Sequence, residues 1–277
     1  MTLKPGLYIV ATPIGNLDDI THRAINILTN SNYIFCEDTR TTSKILQKHQ
    51  IAKKKLEIYN DHSGDSTREK IASMIDSGMV ISLVSDAGTP TISDPGYKLI
   101  RSLQEAGYYV DFIPGPCALI AGLVLSSMPS DKFYFGGFMP RTSSAKHTIL
   151  KNLENLDATL IFYEGPSRII DTLEAIKFSL GNREVAVARE LTKMFQEVVS
   201  GKVDEVLAKA DTLKLKGEFV LLIDRGGGER EVSSEEVNEL IKNYLKKGLS
   251  AKDISIILKQ EHHIPISRNE IYKIIDN

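Results

Sequence analysis

Residues 80–84 (Val80-Ile81-Ser82-Leu83-Val84) run straight into Ser85-Asp86-Ala87-Gly88-Thr89-Pro90, and that junction constrains the fold more than any other stretch. A short apolar, β-branched run bounded by turn residues suits a strand buried on both faces. The small residues after it cannot continue the strand. Residues 108–113 read as another strand, closed by the similar turn Pro114-Gly115-Pro116-Cys117-Ala118. Open α/β sheets bind ligands outside the carboxyl ends of their strands, where small residues let backbone approach the ligand. Two such turns predict one shared pocket, although plain strand-to-helix turns have the same composition.

The rest of the first half fits a sheet around that strand. Residues 7–11, 33–36 and 57–60 read as strands, and helices alternate with them. One helix is expected from an Asp18 or Asp19 cap to residue 28, and others over 42–50, from Asp65 or Ser66 to 77, and from Asp94-Pro95-Gly96 to 106. Alternating strands and helices with nearly continuous apolar strands predict a mostly parallel, doubly wound sheet. After an apolar helix running toward Met128 the pattern changes. Residues 133–138, 159–163, 185–188, 196–200 and 219–223 are later strands, some joined by short links, which predicts a mixed second sheet. The expected division is an α/β domain over 1–117, a second α/β domain over 118–225, and a linker with a helical appendage over 226–277.

Arg225-Gly226-Gly227-Gly228-Glu229-Arg230 lacks the Lys-Ser/Thr of a phosphate loop and any following apolar helix, so it reads as a linker. Beyond it, residues 234–247, 251–260 and 267–275 carry apolar residues at helical spacing, such as Val237, Leu240, Ile241, Tyr244 and Leu245. A helix-turn-helix and a small bundle packed on the body fit this pattern equally.

Charge and cysteines narrow the function. Among 277 residues, 34 Lys and Arg face 36 Asp and Glu, a net charge of −2, so any nucleic-acid site must be a local basic patch. The two cysteines, Cys36 and Cys117, have no framework spacing and read as reduced thiols. No apolar run approaches the roughly 18 residues needed to span a bilayer, and a cytoplasmic location without membrane attachment is expected. No dinucleotide fingerprint, nucleophile elbow or paired metal-ligand spacing is present, and adjacent His262 and His263 cannot serve one helix face, so no metal is expected. What remains is a set of polar turns at strand ends, which a parallel sheet would gather along one edge.

These turns carry a resemblance. Leu7-Tyr8-Ile9-Val10-Ala11-Thr12-Pro13-Ile14-Gly15-Asn16-Leu17 closely resembles the opening of the tetrapyrrole-methylase superfamily. The match continues through Cys36-Glu37-Asp38-Thr39-Arg40, residues 85–96, Pro114-Gly115-Pro116, Phe138-Met139-Pro140-Arg141, Tyr163-Glu164-Gly165-Pro166 and Ala188-Arg189-Glu190-Leu191-Thr192-Lys193, and covers most of the chain to about Asp224. The Ser-Asp-Ala-Gly-Thr-Pro and Pro-Ile-Gly-Asn blocks are similar to the branch that methylates a ribose 2'-hydroxyl of a cytidine in 16S rRNA. They differ from the equivalent turns of the corrin methylases.

The resemblance implies S-adenosylmethionine bound between two α/β domains, usually in a homodimer, with 16S rRNA of the small ribosomal subunit as partner and no role for DNA. The cofactor contacts it implies are Ile14, Asp86, Thr89, Cys117, Ala118, Tyr163, Ala188 and Phe219. Methyl transfer to a ribose hydroxyl asks the protein for proximity, alignment and proton removal. Asp61, His62, Glu37 and Asp38 are candidates for that proton transfer, each equally able to be a loop-stabilising residue. Arg40, Lys44, Arg141 and Arg168 are candidates for RNA phosphates, with Lys53-Lys54-Lys55 as an outer guide. A corrin or siroheme-type methyltransferase and a non-catalytic ribosome-binding factor are the competing readings.

Overall fold

The structure, a computed structural model, describes residues 3–60, 62–209, 216–226, 234–261, 264 and 266–275. The first half builds a five-stranded sheet from β1 (Gly6–Val10), β2 (Tyr33–Cys36), β3 (Lys55–Ile58), β4 (Val80–Leu83) and β5 (Val110–Ile113), in the order β3-β2-β4-β1-β5. Every pairing in it is parallel. The expected anchor strand is therefore the middle one. Alternation along β1 sends Tyr8 and Val10 to one face and Leu7 and Ile9 to the other, and both faces are covered. Helices α1 (His22–Asn30) and α2 (Thr39–Lys48) pack on the first face; α3 (Asp65–Asp76) and α4 (Tyr97–Glu105) pack on the second.

Helix starts differ from the sequence expectation in an instructive way. Asp18 and Asp19 lie in a 3-10 turn, Leu17–Asp19, capped by the Asn16 side chain. Thr21 caps α1 instead, accepting from the Ala24 amide. Both acidic residues precede a residue with better capping geometry, and a β-region residue one turn before the apolar stripe wins the cap. Helix α2 likewise starts three residues early, because Asp38 accepts from the Arg40 amide.

The second sheet has the order β6-β7-β10-β8-β9, formed by β6 (Phe133–Phe138), β7 (Thr159–Glu164), β8 (Glu184–Arg189), β9 (Glu197–Lys202) and β10 (Phe219–Ile223). It is mixed: β6 runs parallel to β7, and the other pairs are antiparallel. Helix α5 (Ala118–Leu125) covers one face, with Leu119 and Leu123 packed among Ile161, Ala186 and Val220. Helices α6 (Ser143–Asn152), α7 (Ile169–Leu180) and α8 (Val203–Ala208) cover the other, where Leu160, Phe162 and Leu221 are fully buried. Each large apolar side chain so buried contributes about 1.5–3 kcal/mol. The sequence reading assigned no element to α6, α7 or α8.

Helices α9 (Ser234–Lys246), α10 (Ala251–Glu261) and α11 (Arg268–Ile275) share a core of Ile241, Ile254, Leu258, Ile264 and Ile271. Of the expected linker, residues 227–230 lie outside the described residues, as do His262 and His263.

Candidate functional site

Because the strands of the first sheet are all parallel, their carboxyl ends and following turns share one edge, and hydrogen bonds tie those turns together. Thr12 and Gly88 exchange backbone bonds, N to O, at 2.8 and 3.0 Å. The Thr89 hydroxyl donates to the Pro116 carbonyl at 3.0 Å. The Asp38 amide donates to Asp86 Oδ1 at 3.0 Å, and the Asp86 amide donates to Glu37 Oε1 at 3.2 Å. Four turns far apart in sequence thus form one rim, with Asp86 at its centre.

The second sheet supplies the opposite wall. A cavity of about 310 Å³ lies between the two sets of loops. On the first side it is lined by Ile14, Asp86, Gly88, Thr89, Asp94 and Cys117, with Ala118 at the start of α5. On the second it meets Phe138, Tyr163, Gly165, Leu191 and Phe219. Seven of the eight residues expected to hold a cofactor line it. The eighth, Ala188, does not: it is fully buried, paired with Val220 in the sheet beneath. Phe138, Asp94, Leu191 and Glu218 line the cavity without having been singled out, although the first three fall inside peptides that carry the resemblance.

The halves meet closely at the cavity mouth. The Asn16 amide donates to Thr192 Oγ1 at 3.0 Å. A Cβ on Gly15 would lie 2.5 Å from Lys193 Cγ and 2.9 Å from the Leu191 carbonyl oxygen, so only glycine fits there. Glu190 and Thr192 hold left-handed backbone on one side of the cavity, and Thr91 and Ser93 on the other. Such conformations cost on the order of 1–3 kcal/mol each and persist only where the surroundings impose them.

The electrostatics of the rim are uneven. Burial, followed by the neighbouring Asp38 charge, raises the Asp86 carboxyl above the usual range. Asp38 goes the other way, to about 2, because the Arg40 side chain and amide both donate to it. Burial pushes the Tyr163 phenol up; its oxygen accepts from the Leu119 amide at 3.3 Å, and its ring packs edge-on to Phe135 and Phe138. The site therefore offers a partly desolvated carboxylate, an aromatic wall and apolar floor, and close backbone.

The remaining candidates scatter around this cavity. Asp61 lies outside the described residues. His62 is exposed on a turn after β3, where its amide donates to Asn60 Oδ1, and it does not line the cavity. Glu37 and Asp38 touch Asp86 from behind. Arg40 has a side chain 86% exposed, and Lys44, one turn along α2, is also exposed. Arg141 is exposed on the turn after β6. Arg168 is turned inward against Glu164. In the expected outer guide, Lys54 Nζ reaches carbonyls at the end of α1, Ser31 at 3.2 Å among them, and Lys55 lies over the Tyr33 ring.

A cofactor with an adenine, a ribose and a charged amino-acid end fits this donor set. A cavity near the lower end of the usual 300–1,000 Å³ range suits such a molecule. Gly88 makes room for it: its φ of +81° favours glycine, and a Cβ there would sit 3.3 Å from the Ile14 side chain. Among the described residues no group of three or more His, Cys, Asp or Glu could hold a metal ion.

Residues 6–207 match the family described as Tetrapyrrole (Corrin/Porphyrin) Methylases. The chain is 50% identical over 277 residues to the Ribosomal RNA small subunit methyltransferase I of Rickettsia prowazekii (strain Madrid E), covering 99% of this chain and 98% of that one. It is 41% identical over 217 residues to the protein of the same name from Thermotoga maritima, covering 78% of this chain and 97% of that one. Among solved structures, the methyltransferase CobJ superposes with a TM-score of 0.59 at 17% identity, over 82% of this chain and 97% of that one.

Proposed function

The chain belongs to the tetrapyrrole methylase family and is a methyltransferase, and from that premise we propose that it moves a methyl group from S-adenosylmethionine to the ribose 2'-hydroxyl of a cytidine in 16S rRNA. The observation that carries this reading is the cavity, in which loops from both sheets bring together Ile14, Asp86, Thr89, Cys117, Ala118, Tyr163 and Phe219. Full-length likeness to rRNA methyltransferases directs it to RNA rather than to a tetrapyrrole, because the solved tetrapyrrole enzymes resemble the chain only in fold.

When bound, S-adenosylmethionine supplies an activated methyl group on a positively charged sulfur. The chain's own residues then have three tasks. Asp86, with Asp94 nearby, would hold the cationic and hydroxyl groups of the cofactor, and Thr89 and Gly88 would bring backbone against it. Leu191, Phe138 and Phe219 exclude water, which strengthens those charge interactions. Proton removal is assigned to Asp61 or His62, which follow β3 in the sequence. Asp38 is ill suited to it, since a carboxylate with a pKa of about 2 is a weak base near neutral pH. Glu37 already accepts the Asp86 amide.

RNA is taken to approach along α2, where Arg40 and Lys44 share an exposed face beside the rim, with Arg141 across the mouth. Two copies are taken to associate through the exposed apolar side of α5, in the cytoplasm, where small ribosomal subunits are found. Incubation with methyl-labelled S-adenosylmethionine and undermethylated small subunits, followed by mapping of the labelled sugar, tests the proposal. Label on one cytidine ribose is the expected result; label on a tetrapyrrole and none on rRNA overturns it.

A further inference from the structure

We propose that Glu164 and Arg168 are positioning residues for the cofactor wall, and that Arg168 acts through this pair instead of gripping RNA. The inference rests on the methyltransferase reading. Glu164 ends β7 on the face that carries Leu160 and Phe162, and its side chain is 0% exposed. Its Oε1 accepts from the Gly165 amide at 2.7 Å and from the Arg168 guanidinium. Its Oε2 accepts from the Thr172 hydroxyl at 2.6 Å, so α7 holds the other oxygen.

Arg168 has a second partner. Its Nη1 donates to the Met139 carbonyl at 3.3 Å, and the Met139 amide donates to the Tyr163 carbonyl at 3.0 Å. One ion pair thus fixes the exits of β6 and β7 at once. Phe138, Tyr163, Gly165 and Pro166, the residues flanking those bonds, line the cavity. A carboxylate this deeply buried needs its partner, because removing one member leaves an uncompensated charge in a low-dielectric interior. The planar guanidinium serves a carboxylate and a carbonyl together, which a lysine ammonium on a flexible stem does less well. An RNA phosphate would have to draw Arg168 away from a fully buried carboxylate, whereas Lys44 and Arg141 are exposed and Arg40, paired with Asp38 at the surface, has a side chain 86% exposed.

The test measures two quantities on the full chain: the S-adenosylmethionine Kd by calorimetry, and rRNA affinity over a range of salt. The proteins are the natural chain, Arg168→Gln, Arg168→Lys, Glu164→Gln and the double variant. A natural chain that binds no S-adenosylmethionine overturns the methyltransferase reading itself, before any variant is compared. Given binding, Arg168→Gln and Glu164→Gln each raise the Kd at least tenfold, Arg168→Lys raises it less, and the double variant is no worse than the weaker single one. The dependence of log rRNA affinity on log salt keeps its slope. The inference fails if both Gln variants bind cofactor within twofold of the natural chain, whether or not their melting temperature falls. It fails too if Arg168→Gln lowers the salt slope by the roughly 0.7–0.9 expected for one lost phosphate contact. Should Arg168→Gln not fold, Glu164→Gln and Arg168→Lys still decide between these outcomes.

Discussion

Asp86 and Asp38 are joined by a hydrogen bond, yet their protonation runs in opposite directions. For Asp86, burial favours the neutral form, so its folded pKa is raised. Its contribution to fold stability is complete below the unfolded value of about 3.9 and is lost as pH rises through the raised value. Cofactor binding has the reverse dependence, because the charged form is the one that meets a cationic ligand. Affinity for S-adenosylmethionine should therefore weaken with acid while pH is still above the ordinary aspartate range. Asp86→Asn should bind more weakly at pH 7 and show no such dependence, which calorimetry between pH 7 and 4.5 would reveal. Asp38 is lowered to about 2, so the stability it lends is present above about 3.9 and lost as pH falls toward 2. On the proton-transfer step, His62→Ala should cut turnover at least tenfold and leave cofactor Kd unchanged; equal loss of both would remove His62 from that role. At this scale the sequence was informative where a residue's neighbours are its own turn, as with Asp86 and Thr89. It did not convey the surroundings of Ala188 and Arg168, which are set by strand register and by a buried carboxylate four residues away.

Strands were more legible than helices, for a reason visible in particular elements. Strands β1, β4 and β10 are apolar runs cut off by turn residues, and their burial on both faces leaves no polar alternation to confuse them. Helix α7 did carry a readable stripe: Ile169, Leu173, Ile176 and Leu180 recur at helical spacing and are all buried. Helix α6 offers little apolar signal beyond Ile149 and Leu150, and it buries Lys146 against the usual preference of lysine. Helix α8 is only six residues long, too short for a period to register. Helix α5 presents the opposite problem, being apolar on every side. Its inner side packs on β10, while Ile120, Val124 and Leu125 are 45%, 72% and 43% exposed. We propose this exposed apolar side as an interaction surface, with a second copy of the chain as its occupant. Val124→Asp places a charge there without touching the core. It should shift the protein from dimer to monomer by light scattering and leave the melting temperature within a few degrees; an unchanged mass would remove α5 from the interface.

Across the whole molecule, the parallel sheet fixes where chemistry can occur, and the second sheet closes the site. The C-terminal helices stand apart from that arrangement. Their apolar cluster is made only of residues from 237 to 274, so its burial is satisfied without the sheets. The Thermotoga relative is matched over nearly all its own length while leaving 277 − 217 = 60 residues of this chain uncovered, close to the size of the appendage. Lys246, Lys247 and Lys252 are exposed around the turn between α9 and α10, and Arg268 stacks over the exposed Tyr272 on α11. Such groups suit loose contact with an RNA backbone more than they suit the cavity. A chain ending at Gly226 should bind S-adenosylmethionine within twofold of the full-length protein and unfold at nearly the same temperature. If those lysines and Arg268 contact phosphates as proposed, its affinity for small ribosomal subunits falls several-fold and depends less steeply on salt. Loss of cofactor binding would instead make the helices part of the catalytic body, and unchanged subunit affinity would strip them of any docking role.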